Sequence, residues 1–263
     1  MKPILIALIA TLSGSATLVA ETSQVRAKRV LDQCLEALGG ARFLAVKDVV
    51  SQGRTYGFYR DKLTGLAIAT IYMEYLTPSP GKLTMRERED YGKKKDSGSV
   101  LFTPEEAYQI TFRGAQPLPK ERFERYQETT MRDIFYILHQ RRDEPGMLYE
   151  SRGADVFDNR PVEIVEITDS ANLSMTVYID STTHLPIRQV FYRRNPIDQE
   201  KDEETTLYTK YRETDGVMWP FTIERDRNGD KVRQIFSETV KINQGLKEDL
   251  FSLPNGIKML KSQ

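Results

Sequence analysis

Few residues in this chain are of the kinds that hold metals or attack substrates. Its two histidines are His139, beside Arg141 and Arg142, and His184, in the turn "DSTTHLP". Neither has a second histidine or a cysteine at ligand spacing, which argues against a zinc site. There is no Gly-x-Ser-x-Gly elbow to present a nucleophile and no glycine-rich loop to cradle phosphate. Carboxylates are plentiful, including Glu163, Glu166 and the acidic run at 198–204. A glycosidase-type pair is therefore open at the level of sequence. Alternation nevertheless accounts for Glu163 as the solvent side of a strand, and the acidic run reads as a solvated loop. No catalytic residue, metal or cofactor is expected, and the chain reads as a non-enzyme.

The single cysteine, Cys34, falls on the helical stripe Ala27, Val30, Leu31, Cys34, Leu35, Leu38 and reads as a small buried hydrophobe. With one cysteine there is no internal disulfide, so a core must hold the fold. Asp32 and Gln33 precede it where a lipidation site would need small residues. Basic and acidic residues balance at 38 each, which argues against a nucleic-acid partner, since phosphate contacts need a basic excess on one face. The one basic cluster, Lys93, Lys94 and Lys95 in "YGKKKDSG", reads as a solvated hairpin tip or, alternatively, as a contact for anionic lipid headgroups.

The elements that would carry a site begin after "MKPILIALIATLSGSATLVA", which has the layout of a secretory signal peptide. Its apolar run is shorter than the roughly 20 residues of a membrane span. Residues 1–20 are expected to be removed and 21–263 to form one exported, periplasmic domain that acts as a monomer. Leu18 is bulky for the minus-three position, so an uncleaved anchor is the alternative.

Residues 21–38 pattern as an amphipathic helix closed by Gly39-Gly40. Period-two patterning follows, with extended segments at about 48–60, 64–77, 82–90, 98–103 and 107–113. After Pro117 and Pro119 a helix of about 20 residues is expected, with Phe123, Tyr126, Ile134, Phe135 and Leu138 on a narrow apolar stripe. Strands resume at about 147–152, 154–158, 161–168, 173–180, 187–194, 204–214, 217–227 and 231–242, with "NPIDQEKDEE" as a solvated connection and "NQGLKEDLFSLPNG" as an irregular close.

The pattern is mainly β (α+β), an antiparallel meander of ten or more strands that must curl. Two helices are a small cover for such a sheet, so its concave face needs either a packed core or a ligand. Strand 217–227 puts the question most sharply. Val217, Trp219, Phe221 and Ile223 share one side, opposite Met218, Pro220, Thr222 and Glu224. The aromatic pair can serve a core or a ligand site, and aromatic residues on a strand more often belong to a core.

Four stretches, "LEALGGARFLAVKDVVSQG", "VYIDSTTHLPIRQ", "YRETDGVMWPFTIE" and "VKINQGLKEDLFSLP", resemble in this order the outer-membrane lipoprotein-sorting proteins of the LolA/LolB/RseB-like superfamily. The resemblance implies a half-open antiparallel β-barrel with helices as a lid over an apolar cavity. It further implies a periplasmic carrier of lipid or lipoprotein acyl chains, with a possible inner- or outer-membrane partner protein. The alternative it implies is a sensor or interaction module of the same fold. Under the carrier reading, Tyr56, Phe58, Val217, Trp219, Phe221 and Ile223 of the sheet and Phe123, Ile134, Phe135 and Leu138 of the helix are the expected acyl contacts. Arg54 shares the face of Tyr56 and Phe58, but no motif assigns it the lid-pinning role known in the family.

Overall fold

The computed structural model describes residues 21–92, 98–195 and 199–261. The expected signal peptide and the Lys93–Lys95 cluster lie outside these residues. Thr22 caps the first helix, α1 (Ser23–Leu38), its Oγ1 accepting from the amide of Val25, and Gly39 ends it at φ 125°. A Cβ at Gly39 would stand 2.6 Å from the carbonyl oxygen of Gly216, so glycine lets this helix end touch the sheet. A four-residue helix, α2 (Ala41–Leu44), buries Phe43 and was not visible as a period in the sequence.

The strands are β1 (Asp48–Tyr59), β2 (Lys62–Tyr75), β3 (Met85–Tyr91), β4 (Ser99–Phe102), β5 (Ala107–Thr111), β6 (Gly114–Pro117), β7 (Leu148–Phe157), β8 (Arg160–Thr168), β9 (Ser174–Asp180), β10 (Pro186–Arg194), β11 (Lys201–Thr214), β12 (Val217–Arg227) and β13 (Asp230–Ile242). They form one antiparallel sheet in the order β6-β5-β4-β3-β2-β1-β13-β12-β11-β10-β9-β8-β7. The sheet curls without closing, so the fold is a half-open barrel. Bulges accompany the curl, as at Gln52/Gly53, where a Cβ on Gly53 would meet the oxygen of Phe236 at 2.0 Å.

Three sequence expectations change. Segments 147–152 and 154–158 are one strand, β7, bent by a bulge between Ser151 and Gly153. The short strand β6 had too few residues to show alternation. It is extended by the C-terminal segment, where the amide of Ala115 donates to Lys258 O at 2.9 Å and that of Leu260 donates to Ala115 O at 2.8 Å. The long inserted helix is broken into α3 (Lys120–Met131) and α4 (Ile134–Tyr136), the latter running into a π-helical turn at Ile137–Arg141.

Asp133 causes that break. One carboxylate oxygen accepts from the amide of Phe135 at 2.9 Å as a helix N-cap, and the other accepts from the Tyr208 hydroxyl at 2.8 Å. The amide of Ile134 donates to Gln189 Oε1 at 2.9 Å. Burial raises the Asp133 carboxyl, while the Tyr208 hydrogen bond opposes the shift. α4 is thereby pinned to β10 and β11, and α3 leaves at its own angle.

The core follows from these placements. α1 buries its predicted stripe against β7, β8 and β12, with Ala27, Cys34 and Leu38 fully enclosed. Ile134, Phe135 and Leu138 join the same cluster. Farther along the sheet, α3 packs Phe123 and Tyr126 on Val100, Phe102, Ala107 and Leu118. On the outer face of that end, Phe251 and its neighbours cover Leu101, Ile110 and Ala115.

Candidate functional site

Between the sheet and α3 lies a cavity of about 270 Å³, just below the usual range of about 300–1,000 Å³ for ligand pockets. One part of its wall is apolar, with Val49, Ile71, Met73, Phe191, Trp219 and Ile223. The other part is charged. β3 contributes Glu87 and Glu89, β11 Glu204, β12 Arg225 and Arg227, β13 Arg233, and α3 Arg122 and Arg125.

β12 displays the gradient by simple alternation. Val217, Trp219, Phe221, Ile223, Arg225 and Arg227 follow one another along the concave side, so the strand runs from apolar to cationic. Trp219 lies at the junction. It is only 6% exposed, its ring centroid is 5.4 Å from that of Phe135, and it also borders the cavity. The residue therefore serves the core on one side and the hollow on the other.

The glutamates of β3 are strongly differentiated. Burial, reinforced by the neighbouring charge of Glu89 and by a side-chain hydrogen bond between the two, lifts Glu87 well above the usual carboxylate range. Burial alone would also raise Glu89. Arg233, at 2.8 Å, and hydrogen bonds from Glu87 and Tyr91 outweigh it and hold Glu89 at about 2. Glu204 accepts from Arg227 Nε at 3.0 Å and lies 3.6 Å from Arg125 of α3. Burial raises its carboxyl despite these arginines.

Of the expected acyl contacts, the structure brings Trp219 and Ile223 into the cavity wall. Val217, Phe221, Ile134, Phe135 and Leu138 lie in the packed core, and Phe123 lies beside the cavity with Phe102 and Tyr126. Tyr56 and Phe58 are placed elsewhere. Tyr56 borders a groove with Thr222, Glu224 and Phe236, whose side chains leave the opposite face of β12 and β13 from Ile223 and Ile235. Phe58 has Lys231 Nζ 5.6 Å from its ring centroid, and that amine also pairs with Glu224 of the outer groove. Alternation correctly paired the two aromatics with each other, but it could not say which face was concave. Arg54 pairs with Glu238 at 3.1 Å, both half exposed.

The charged half of the site was missed by sequence reasoning. Its signal was present in β3, "MREREDY", where both faces carry charge in a sheet that must bury one of them. His139, by contrast, is stacked on Tyr75 with ring centroids 4.0 Å apart, and burial lowers it to about 4. Among the described residues, no group of three or more His, Cys, Asp or Glu side chains is arranged to hold a metal ion.

The curled, half-open sheet with helices on its concave face is a LolA-like fold, as its likeness to solved structures shows. The structure resembles a Vibrio parahaemolyticus domain assigned to the outer membrane lipoprotein-sorting proteins (TM-score 0.58, 11% identity, 86% of this chain and 97% of that one). It also resembles a DUF1329 family protein from Desulfovibrio piger (TM-score 0.57, 11% identity, the same coverage). A third similar structure is a LolA superfamily protein from Nitrosomonas europaea (TM-score 0.50, 12% identity, the same coverage). No protein-family model matches the chain, and no curated protein matches its sequence. At these identities the likeness establishes the fold. No helix among the described residues is long and apolar enough to cross a membrane.

Proposed function

We propose that this protein is a periplasmic carrier that binds acyl chains of lipids or lipoproteins between the concave sheet and α3, in the manner of outer-membrane lipoprotein sorting. The observation that carries the reading is the hollow bordered by Trp219, Ile223, Ile71 and Met73 beneath a helix that buries little of itself. Each methylene transferred from water to such a wall contributes about 0.8 kcal/mol, so affinity needs no elaborate polar site. The N-terminal export pattern and the lipoprotein-sorting description of the Vibrio relative support the compartment and the cargo class.

A second reading, an interaction or sensor module of the same fold, draws on the β1–β2 hairpin. Tyr59, Leu63, Leu66 and Ile68 are exposed there, beyond what scattered surface apolars require. Native mass spectrometry of protein prepared from periplasm without detergent separates the two. The carrier reading predicts a population with retained lipid mass that is released by organic extraction. Uniformly empty protein that also fails to take up added lipid would favour the module.

A further inference from the structure

The charged half of the cavity has an unbalanced member. Arg233 is committed to Glu89, and Arg227 to Glu204. Arg225 makes no direct ion pair or side-chain hydrogen bond with any described residue, although the carboxyls of Glu87, Asp133 and Glu204 lie within its electrostatic reach, and its Nε is buried without a partner. In the β12–β13 ladder it stands directly opposite Arg233, so two guanidinium groups are cross-strand neighbours on the concave face. Like charges in that position disfavour the fold, and a buried donor left unsatisfied adds a further cost. An anion between them would relieve both.

We propose that Arg225, with Arg122 at the exposed edge of α3, receives the anionic headgroup, a carboxylate or phosphate, of an amphiphile whose chain lies along the apolar wall toward Trp219. This rests on the carrier reading and narrows its ligand class.

The geometry suits such a molecule. Trp219 and Arg225 are six residues apart on one face of β12, a separation of about 20 Å in extended strand. The wall changes from apolar to cationic over that length, as an amphiphile does. Glu87 also lines the cavity, where burial and the neighbouring Glu89 charge disfavour its ionised form. Guanidinium donors match planar or tetrahedral oxyanions with paired, charge-assisted hydrogen bonds.

The test uses the lone tryptophan as reporter. 9,10-Dibromostearic acid and its methyl ester carry the same quenching chain and differ only in the headgroup charge. The acid should quench Trp219 with an affinity at least about tenfold above that of the ester, the effect of one charge-assisted contact. In Arg225→Gln that preference should fall to about twofold or less while the ester binds as before. The variant should melt within a few degrees of the wild-type temperature, because no direct ion pair or hydrogen bond is lost; this separates lost recognition from lost folding. Equal binding of acid and ester by wild type, or a preference that survives in Arg225→Gln, would overturn the headgroup assignment and leave the carrier reading standing. If neither quenches, the carrier reading fails with it. Inorganic phosphate supplies the remaining arm. Weak competition at millimolar concentration is expected, whereas competition as strong as that of the acid would mark a free-anion site and refute the amphiphile.

Discussion

One concave face is covered by two helices in two different ways. At the β7–β12 end, α1 lays six apolar residues on the sheet, Ala27, Val30, Leu31, Cys34, Leu35 and Leu38, all of them buried. At the β1–β5 end, α3 buries only Thr130, and its Phe123 and Tyr126 are half-buried. Arg122 and Arg125 of α3 face the cavity instead of filling it. A wide apolar stripe gives close packing, whereas a narrow one flanked by arginines leaves room for something else. The contrast separates the part of the face that is packed core from the part that borders the cavity.

The sharpest way to break this contrast is to truncate an aromatic at each end. Phe135 is 5% exposed and touches Phe43, Tyr208 and Trp219. Phe135→Ala should lose about 3–5 kcal/mol of unfolding free energy in urea titration, the range for deeply buried aromatics. Phe123→Ala on α3 should lose less than about half as much, since its surroundings already border a hollow. Equal losses would mean that α3 is core in the same sense as α4.

A second pair sharpens the polar half of the site. Glu89 has a folded pKa of about 2 against 4.5 in a free chain. Its contribution is therefore full above pH 4.5 and is lost as pH falls toward 2. Glu89→Gln should destabilise at pH 7 by about 3 kcal/mol, the low end for a broken buried pair because Arg233 keeps some exposure, and by progressively less in acid. Glu87 has the opposite sign. Its folded pKa is raised, so it stabilises most below pH 4.5 and loses that contribution as pH rises. Glu87→Gln, which imitates the protonated form, should leave the melting temperature unchanged or slightly higher at pH 8, and should flatten its decline with rising pH. A fall of several degrees at pH 8 would contradict the raised Glu87 carboxyl.

Much of this architecture was legible in the residues. Alternation located twelve of the thirteen strands, counting the bent β7 as one, because a half-buried antiparallel strand repeats every two residues. The α1 stripe, including Cys34, was complete. The break at Arg132–Asp133 was not legible, since Asp133 acts through Tyr208, distant in sequence, and both flanking segments keep helical spacing. The outer-face placement of Tyr56 and Phe58 was not legible for a different reason. Period two sorts residues into two faces, but only the curl of the whole sheet decides which face is inside. The charged half of the cavity left a signal in "MREREDY", whose charge on both faces is unusual for a buried strand, but its partner Arg233 is distant in sequence and was not legible.

Hydrogen exchange read by mass spectrometry, with and without oleate, tests most directly the claim that α3 is a cover over a ligand cavity while α1 is permanent core. The account predicts that the hydrogen-bonded amides of α1, from Arg26 to Leu38, exchange only through global unfolding and do not respond to oleate. Amides of Lys120–Met131 should exchange faster through local opening, and oleate should slow them together with those of Val217–Arg227. Exchange of α3 as slow as that of α1, or oleate protection appearing on the exposed β1–β2 hairpin and not on α3, would contradict it.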